Sequence, residues 1–490
     1  MKEALSKKVS VPEEVVAVSK TLAEAGFEAY LVGGCVRDML LCREPKDWDV
    51  ATDATPADVQ KLFPESVYEN DFGTVGIKTE SEDPRLKIIE VTTYRIESEY
   101  TDKRHPDEVK FASNIEDDLS RRDFTVNAMA MDMKGDVVDP FGGAQDIKDR
   151  TLRTVGVPEE RFSEDALRLM RAVRFSMELE FEIELNTRRA MVKLAGGLEE
   201  IAKERVRDEL VKILMTPNAA KGIILLEELD LLRYVLPELR EGIGVGQNKH
   251  HIYTVFEHNV RALDYTAREN YSLPVRMAAL LHDVGKPKVK SGDGPDSTFY
   301  QHEYIGAKIA VRMLDRLRFS REFTEQVGHL VRSHMFYYDS GVISAAGVRR
   351  FVVRVGPENI DDLLKVREAD RIGSGVKKAV PYRLRHLLFM IDKVKRDPLS
   401  PKMLALRGDD LMPLLDLPQS RRVGWILNSL MEEVIDDPKK NNKNYLEKRA
   451  KELNKLSDAD LQERFASAQQ KKREAEGELD DNIKKKHHVK

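Results

Sequence analysis

Two aspartates, Asp47 and Asp49, stand at i and i+2 in Lys46-Asp47-Trp48-Asp49-Val50. In a strand-like segment successive side chains alternate faces, so both carboxylates project from one face. Mg²⁺ takes oxygen ligands and is commonly held by one or two carboxylates together with substrate phosphates. Two such ions, roughly 3.5–4 Å apart, can activate an attacking hydroxyl and stabilise a leaving pyrophosphate. A loop with two exposed acids would leave the same trace, so the neighbours decide. Upstream, Leu31-Val32-Gly33-Gly34-Cys35-Val36-Arg37-Asp38 reads as a strand, two glycines and a helix start. Gly33 and Gly34 let a backbone approach a phosphate, the helix start offers unpaired N–H groups, and Arg37 adds a forked cation. A plain tight turn is the alternative. Downstream, Glu90 is an acid in the apolar run Ile89-Glu90-Val91. It is either a third carboxylate or general base beside the metals, or a residue of the solvent face.

A second concentration lies further along. His250, His251, His258, His282, His302, His329 and His334 make up seven of the eleven histidines, and Asp283 directly follows His282. Imidazole with carboxylate suits a divalent transition metal, and an open coordination position would activate water. Histidines that fill helical core positions or cap helices are the alternative.

Positioning these groups takes more than one core, because 490 residues exceed what a single domain packs. From about Val11 to Pro140 the pattern is mixed α/β. An amphipathic helix over Glu13–Ala25 precedes a strand at 29–32, and strand signals recur at 48–50, 76–78 and 87–91. From Ser163 the periodicity is helical to the end, which predicts an α/β head on an all-helical body. After Asp436 the chain is poor in aromatics and rich in Lys, Glu, Asn and Gln. That composition reads as a solvated helix or partly disordered tail, with a grip on RNA as the other reading. The charged fraction is 34% and the hydrophobic fraction 41%, as in a globular protein with a charged surface. Net charge is −5, which leaves room for a local basic groove. Cys35 and Cys42 suggest no disulfide framework, no apolar run of membrane length occurs, and the N-terminus lacks an export pattern. The expected setting is the cytoplasm, with no membrane association and no obligate protein partner.

The motifs together carry a resemblance. Gly-Gly-Cys-Val-Arg-Asp, then Asp-Trp-Asp, then Arg121-Arg122-Asp123-Phe124-Thr125-Val126-Asn127-Ala128, then Glu164-Asp165-Ala166-Leu167-Arg168 resembles the class II tRNA nucleotidyltransferases, the CCA-adding enzymes and related bacterial poly(A) polymerases of the DNA polymerase β superfamily. The resemblance implies an α+β fold: a polymerase β-like head at 12–150, a helical neck at 151–240, an HD-type body at 245–375 and a helical tail at 376–490, partly disordered after 450. It implies catalysis by Asp47, Asp49 and Glu90 with Mg²⁺ on the two aspartates. Nucleotide binding is implied for Gly33, Gly34, Arg37, Asn127 and the Arg121, Arg122, Asp123 group, which would meet ribose and triphosphate. Asp71-Phe72-Gly73-Thr74-Val75-Gly76-Ile77 looks like the CCA-adding branch, and the basic segment of the poly(A) branch is absent.

Asp165 and Arg168 lie three apart in a segment of helical character, so they are expected to share a face. An aspartate can accept from the exocyclic amine of C or A, and an arginine can donate to the neighbouring ring nitrogen. G and U present a carbonyl where an amine is wanted. Arg171 and Arg174 continue the series and form a triphosphate or RNA-backbone surface, or else a solvated face. In the resembling enzymes a flexible loop, here Glu97 to Pro106, helps switch from C to A.

Leu280-Leu281-His282-Asp283-Val284-Gly285-Lys286 resembles the core of the HD phosphohydrolases. That likeness implies a metal site of His258, His282, Asp283, His302, His334 and Asp370. It would take a transition metal such as Ni²⁺, Mn²⁺ or Co²⁺ and act as a phosphatase or 2′,3′-cyclic phosphodiesterase. Three readings follow. The chain adds CCA to the tRNA 3′ end from CTP and ATP; or it is a poly(A) polymerase or a partial CC- or A-adding enzyme; or it is an HD phosphohydrolase with an RNA-binding head.

Overall fold

The computed structural model describes residues 10–68, 73–98, 108–248, 252–339, 343–394 and 403–464. Most of the expected switching loop, Glu97 to Pro106, falls in the stretch 99–107, which lies outside the described residues, as do the tail beyond 464 and Asp71 and Phe72. The chain divides into two compact units, Met1–Arg240 with Arg316–Phe319, and Glu241–Asp315 with Ser320–Lys490.

The first unit begins with helix α1 (Glu13–Glu24), which buries Val15, Val18 and Leu22. A sheet follows, built from β1 (Tyr30–Val32), β2 (Asp49–Thr52), β3 (Ser66–Tyr68), β4 (Thr74–Lys78), β5 (Ile88–Thr93), β6 (Ala130–Met131) and β7 (Val137–Val138) in the order β3-β4-β5-β2-β1-β6-β7. Strand β2 is central, antiparallel to β1 and parallel to β5. Leu31, Val50, Ile89 and Val91 are fully buried, so the hydrophobic alternation fixes which residues face outward. Between β1 and β2 runs the short helix α2 (Gly34–Leu40).

The sheet leads into α3 (Pro158–Glu164) and α4 (Leu167–Leu179), and later α5 (Lys203–Met215). Pro158 opens α3, where its missing N–H is no loss. The helix does not continue through Asp165. That residue is extended, with φ −143° and ψ 103°, and its Oδ1 accepts from the Leu167 N–H at 2.9 Å. A short acceptor next to a helix start caps the following turn and breaks the preceding one. Asp165 and Arg168 therefore do not lie on one continuous helix, as the spacing suggested. They flank a helix junction.

The second unit is helical. Its frame is α6 (Val255–Arg268), α7 (Leu273–Leu281), α8 (His302–Arg316, up to Asp315 within this unit), α9 (Arg321–Ser333) and α10 (Ile360–Gly373). Thr254 and Glu257 close a capping box at the start of α6, and Pro274 sits in the first turn of α7. Further on, α11 (Arg421–Asp436) and α12 (Lys443–Leu453) share a core in which Ile426, Leu430, Leu446 and Leu461 are fully buried. Gly285 ends the His282–Gly285 turn against the start of α8: a Cβ there would lie 2.3 Å from the His302 carbonyl and 2.5 Å from the Gly306 nitrogen. Both obstacles are backbone, so a methyl must push α8 away. Gly285→Ala is expected to destabilise the second unit by about 1–3 kcal/mol. Gly424→Ala, within α11 and facing open space, is expected to stabilise it by up to about 1 kcal/mol. Denaturant unfolding of the two variants checks the pair; equal effects would contradict the packing described.

Candidate active site and metal centre

In the head, Asp47 lies in the bend before β2 and Asp49 opens the strand. Trp48 and Val50 are buried, whereas Asp47 is exposed and Asp49 half-buried, so the two acids share the outward side. Glu90 is exposed and pairs in register with Asp49 across the parallel β2–β5 ladder, which puts it on the same sheet face. Among the described residues, the clusters of three or more ligand-type side chains whose ligand atoms lie within 4.8 Å of one another are all in the second unit. Glu90 is thus a face-neighbour of the pair rather than part of a closed triad.

The glycine bend sits beside these acids. Gly33 has φ +75°, and a Cβ on it would lie 2.7 Å from Arg122 Nη1 and 3.9 Å from Asp49 Oδ2. Gly33 is therefore required both for its left-handed backbone and for the approach of Arg122. At Gly34 a Cβ would make only an ordinary contact, with Arg37 at 3.6 Å. Among the described residues nothing demands glycine there. Cys35 in the same bend is buried, and burial with the nearby Asp49 pushes its thiol up to about 12. It is a packing residue.

Charges in the head are unequally matched. Asp118 accepts from Arg121 at 2.8 Å and from Arg122 at 3.2 Å. Asp123 accepts from Arg171 at 2.7 Å, from the Phe124 N–H at 2.9 Å and from Asn127 at 3.3 Å. Burial alone would raise both pKa values, but the arginines outweigh it and hold both acids below the usual range. Asp49 behaves oppositely. Burial raises its pKa, Arg122 only partly offsets this, and Asp47 adds repulsion. The position is short of positive charge, which is the environment a divalent cation fits.

The arginine series on α4 is not a solvated stripe. Arg168 is buried; it donates to Glu164 at 2.5 Å, to the Arg161 carbonyl at 2.9 Å and to the Arg121 carbonyl at 3.3 Å. Arg174 pairs with the buried Glu209 at 2.8 Å. Arg37 donates to Asn127 at 2.7 Å and to Asp38 at 2.9 Å. The guanidinium carbons of Arg37, Arg171 and Arg174 lie 5.5, 5.3 and 4.2 Å from the centre of one buried ring, Phe175. That ring places three cations close together, and carboxylates hydrogen-bonded to Arg37 and Arg171 hold those two in fixed directions. Asp165 is gripped by Arg205 of α5, with Nη2 to Oδ2 at 2.7 Å and Nη1 to Oδ1 at 3.4 Å.

In the second unit all six expected residues converge and all are buried. Asp283 divides them. Its Oδ2 lies 3.2 Å from His258 Nε2 and 3.3 Å from His282 Nε2; its Oδ1 lies 3.2 Å from His302 Nε2 and 3.7 Å from His334 Nε2. Asp370 Oδ1 joins the first group, 3.3 Å from His258. Nδ1 of His282, His302 and His334 lies 2.7–2.8 Å from the carbonyls of Ala279, Phe299 and Val331. Donation there fixes the tautomer and leaves each Nε2 lone pair directed inward. The inward nitrogens are 2.9 Å apart in the His258–His282 pair and 3.3 Å apart in the His302–His334 pair. Ligands each about 2.0–2.1 Å from a tetrahedral ion stand roughly 3.3 Å apart, so His258, His282 and Asp283 would suit a divalent ion, as would His302, His334 and Asp283. Burial opposes charge on His282, yet Asp283 and Asp370 outweigh it and push its pKa up to about 10. His334 is driven well below its ordinary value by burial and by the adjacent His282 and His302. A proton and a divalent ion compete for the same lone pairs.

Several participants were not read from the sequence. Phe175 resembles any core aromatic of a helix. Arg205 and Gln247 lie dozens of residues from Asp165 and Lys286, beyond any helical spacing. Lys286, within the quoted motif, donates to Asp283 at 2.6 Å and to Gln247 at 2.6 Å. Arg367 stands 2.6 Å from Asp370, three residues away on one helix face, a spacing that could have been found. No helix among the described residues is long and apolar enough to cross a membrane.

Comparison with known proteins agrees with this geometry. Residues 29–153 match the poly(A) polymerase head domain, 180–243 match the "Probable RNA and SrmB- binding site of polymerase A", and 255–374 match the HD domain. The head and HD domains both imply dependence on divalent metal. The chain is 38% identical over 418 residues to the A-adding tRNA nucleotidyltransferase of Deinococcus radiodurans, covering 82% of this chain and 91% of that one. It is 31% identical over 437 residues to the CCA-adding enzyme of Enterococcus faecalis, covering 89% and 94%. The crystal structure of the Bacillus stearothermophilus CCA-adding enzyme in complex with CTP is similar at a TM-score of 0.67 and 29% identity, over 90% of this chain and 97% of that one. With relatives matched nearly end to end at this identity, the chain belongs to the tRNA nucleotidyltransferase family of CCA-adding and A-adding enzymes.

Proposed function

We propose that this protein adds C, C and A in turn to the 3′ end of tRNA from CTP and ATP, in the cytoplasm, with a head at 12–150, neck at 151–240, body at 245–375 and tail at 376–490. One observation carries the reading: Asp49 shares the outward side of β2 with Asp47 and lies beside the Gly33 bend, where a Cβ would stand 3.9 Å from Asp49 Oδ2 and 2.7 Å from Arg122 Nη1, while Asp118 and Asp123 are paired with arginines. Asp47 and Asp49 would hold Mg²⁺, which supplies Lewis-acid stabilisation to the attacking and leaving oxygens. Gly33, Gly34 and Arg37 would receive the triphosphate with Arg122, Arg171 and Arg174, the cations around Phe175 and Gly33. Arg121, Asp123 and Asn127 belong to the same network and would meet the ribose side. Glu90, on the metal face, would accept or orient the primer hydroxyl. Asp165 and Arg168 would read the Watson–Crick edge of the base.

A second reading has its own support, because the relative matched over 91% of its length at 38% identity is an A-adding enzyme. Incubation with tRNA lacking CCA and with tRNA ending in CC, each NTP supplied separately, decides. Ordered addition of C, C and A is the expected result; A added only to the CC-ended tRNA establishes the second reading. Asp47→Ala and Asp49→Ala are each expected to lower addition by about a thousandfold, the several kcal/mol that metal-held charge stabilisation contributes. Activity within tenfold of the unaltered protein would contradict the assignment.

The body would carry a metal-dependent phosphohydrolase acting on phosphomonoesters or 2′,3′-cyclic phosphates, with Ni²⁺, Mn²⁺ or Co²⁺ on His258, His282, Asp283, His302, His334 and Asp370. Its support is the division of inward nitrogens around one carboxylate. Elemental analysis is expected to find up to two transition-metal ions per chain, and none in an Asp283→Ala variant, which keeps nucleotide addition. Metal retained by that variant would contradict the bridging role.

A further inference from the structure

We infer that Arg205 is the positioning residue for base selection: it clamps the Asp165 carboxylate so that one oxygen edge is presented to the incoming base. The inference rests on the proposed reading that Asp165 recognises the amine of C or A. Asp165 lies in an extended junction between α3 and α4, where no helix backbone dictates its side-chain direction. Oδ1 is occupied by the Leu167 N–H at 2.9 Å and approached by Arg205 Nη1 at 3.4 Å. Oδ2 accepts from Arg205 Nη2 at 2.7 Å. Two donors from one planar guanidinium set the plane of the carboxylate as well as its position. Each carboxylate oxygen has room for a second donor, so Oδ2 keeps acceptor capacity for an exocyclic amine. The clamp also keeps the carboxylate from competing partners. Arg171 is close enough for the Asp165 charge to act on it, and an unclamped carboxylate could swing toward that cation. Arg168 is fixed independently by Glu164 and two backbone carbonyls, so the two base-reading groups have separate supports. Among the described residues Arg205 is the side-chain ion-pair partner of Asp165.

The test compares kcat and KM for CTP and UTP, on tRNA lacking CCA, in the full chain carrying Arg205→Ala, Arg205→Lys or Asp165→Ala. Thermal melting is followed in parallel. Arg205→Ala is expected to reduce the CTP-over-UTP preference at least about tenfold, through KM for CTP more than through kcat. Arg205→Lys keeps the charge but loses the fork, so its preference should fall between those of Arg205→Ala and the unaltered protein. A purely structural role would lower melting temperature and kcat for both nucleotides alike and leave the preference unchanged. If Asp165→Ala loosens base choice while both Arg205 variants keep it, the clamp is overturned and the base-reading role stands. Should Asp165→Ala leave base choice intact, the reading beneath the inference fails with it. If Arg205→Ala does not fold, Arg205→Lys decides alone: an unchanged preference overturns the clamp.

Discussion

An ionised carboxylate withdrawn from water needs positive charge beside it, or it pays by shifting its pKa. Much of the head and neck can be read as answers to that requirement. Asp118, Asp123, Glu164, Asp165 and Glu209 each meet an arginine at hydrogen-bonding distance. Because a guanidinium is planar, the hydrogen-bonded pairings of Asp118, Asp123, Glu164 and Asp165 also fix a direction. The result is a set of charged groups held rigid before any nucleotide arrives, the condition under which fixed dipoles and charges contribute most to a reaction. Asp49 is the exception, half-buried beside another acid with Arg122 only partly compensating. The imbalance lies where the glycine bend brings backbone and arginine together.

The second unit meets the same requirement with histidines. Asp283 and Asp370 are driven well below the carboxylate range although burial opposes it, chiefly through Lys286 and His282 for the first and Arg367 and the histidines for the second. The backbone takes part, since carbonyls three residues back face Nδ1 of His282, His302 and His334. A helix-borne histidine with that partner cannot turn its other nitrogen away from the centre. Gly285 and Gly373 let the surrounding helices close in, because a Cβ on either would strike backbone within 3 Å.

What could be read from the sequence was whatever depends on short-range pattern. The alternation around Val50 and Ile89 placed strands to within a few residues, and the Gly-Gly, Asp-x-Asp and His-Asp signatures named residues that the fold brings together. Pattern failed where a tertiary partner overrides local preference. The spacing of Asp165 and Arg168 suggested one helix face; capping of Leu167 and the pull of Arg205 make it a junction instead. The spacing of the arginines at 168, 171 and 174 offered a triphosphate or RNA-backbone surface, or else a solvated face, but not their partners: Glu209 and Asp123 come from distant segments that no periodicity links to them. The short strands Ala130–Met131 and Val137–Val138 escaped notice because two residues hold no period.

The central claim is that Asp47 and Asp49 converge on divalent cations at the bend where the triphosphate docks. The most direct measurement is a crystal structure with Mn²⁺ and CTP, with the ion located by its anomalous scattering. An anomalous peak within ligand distance of both carboxylates, with CTP phosphate oxygens on the same ion and against Gly33 and Gly34, is the predicted result. CTP bound with its phosphates elsewhere and no ion at the two aspartates would contradict the account.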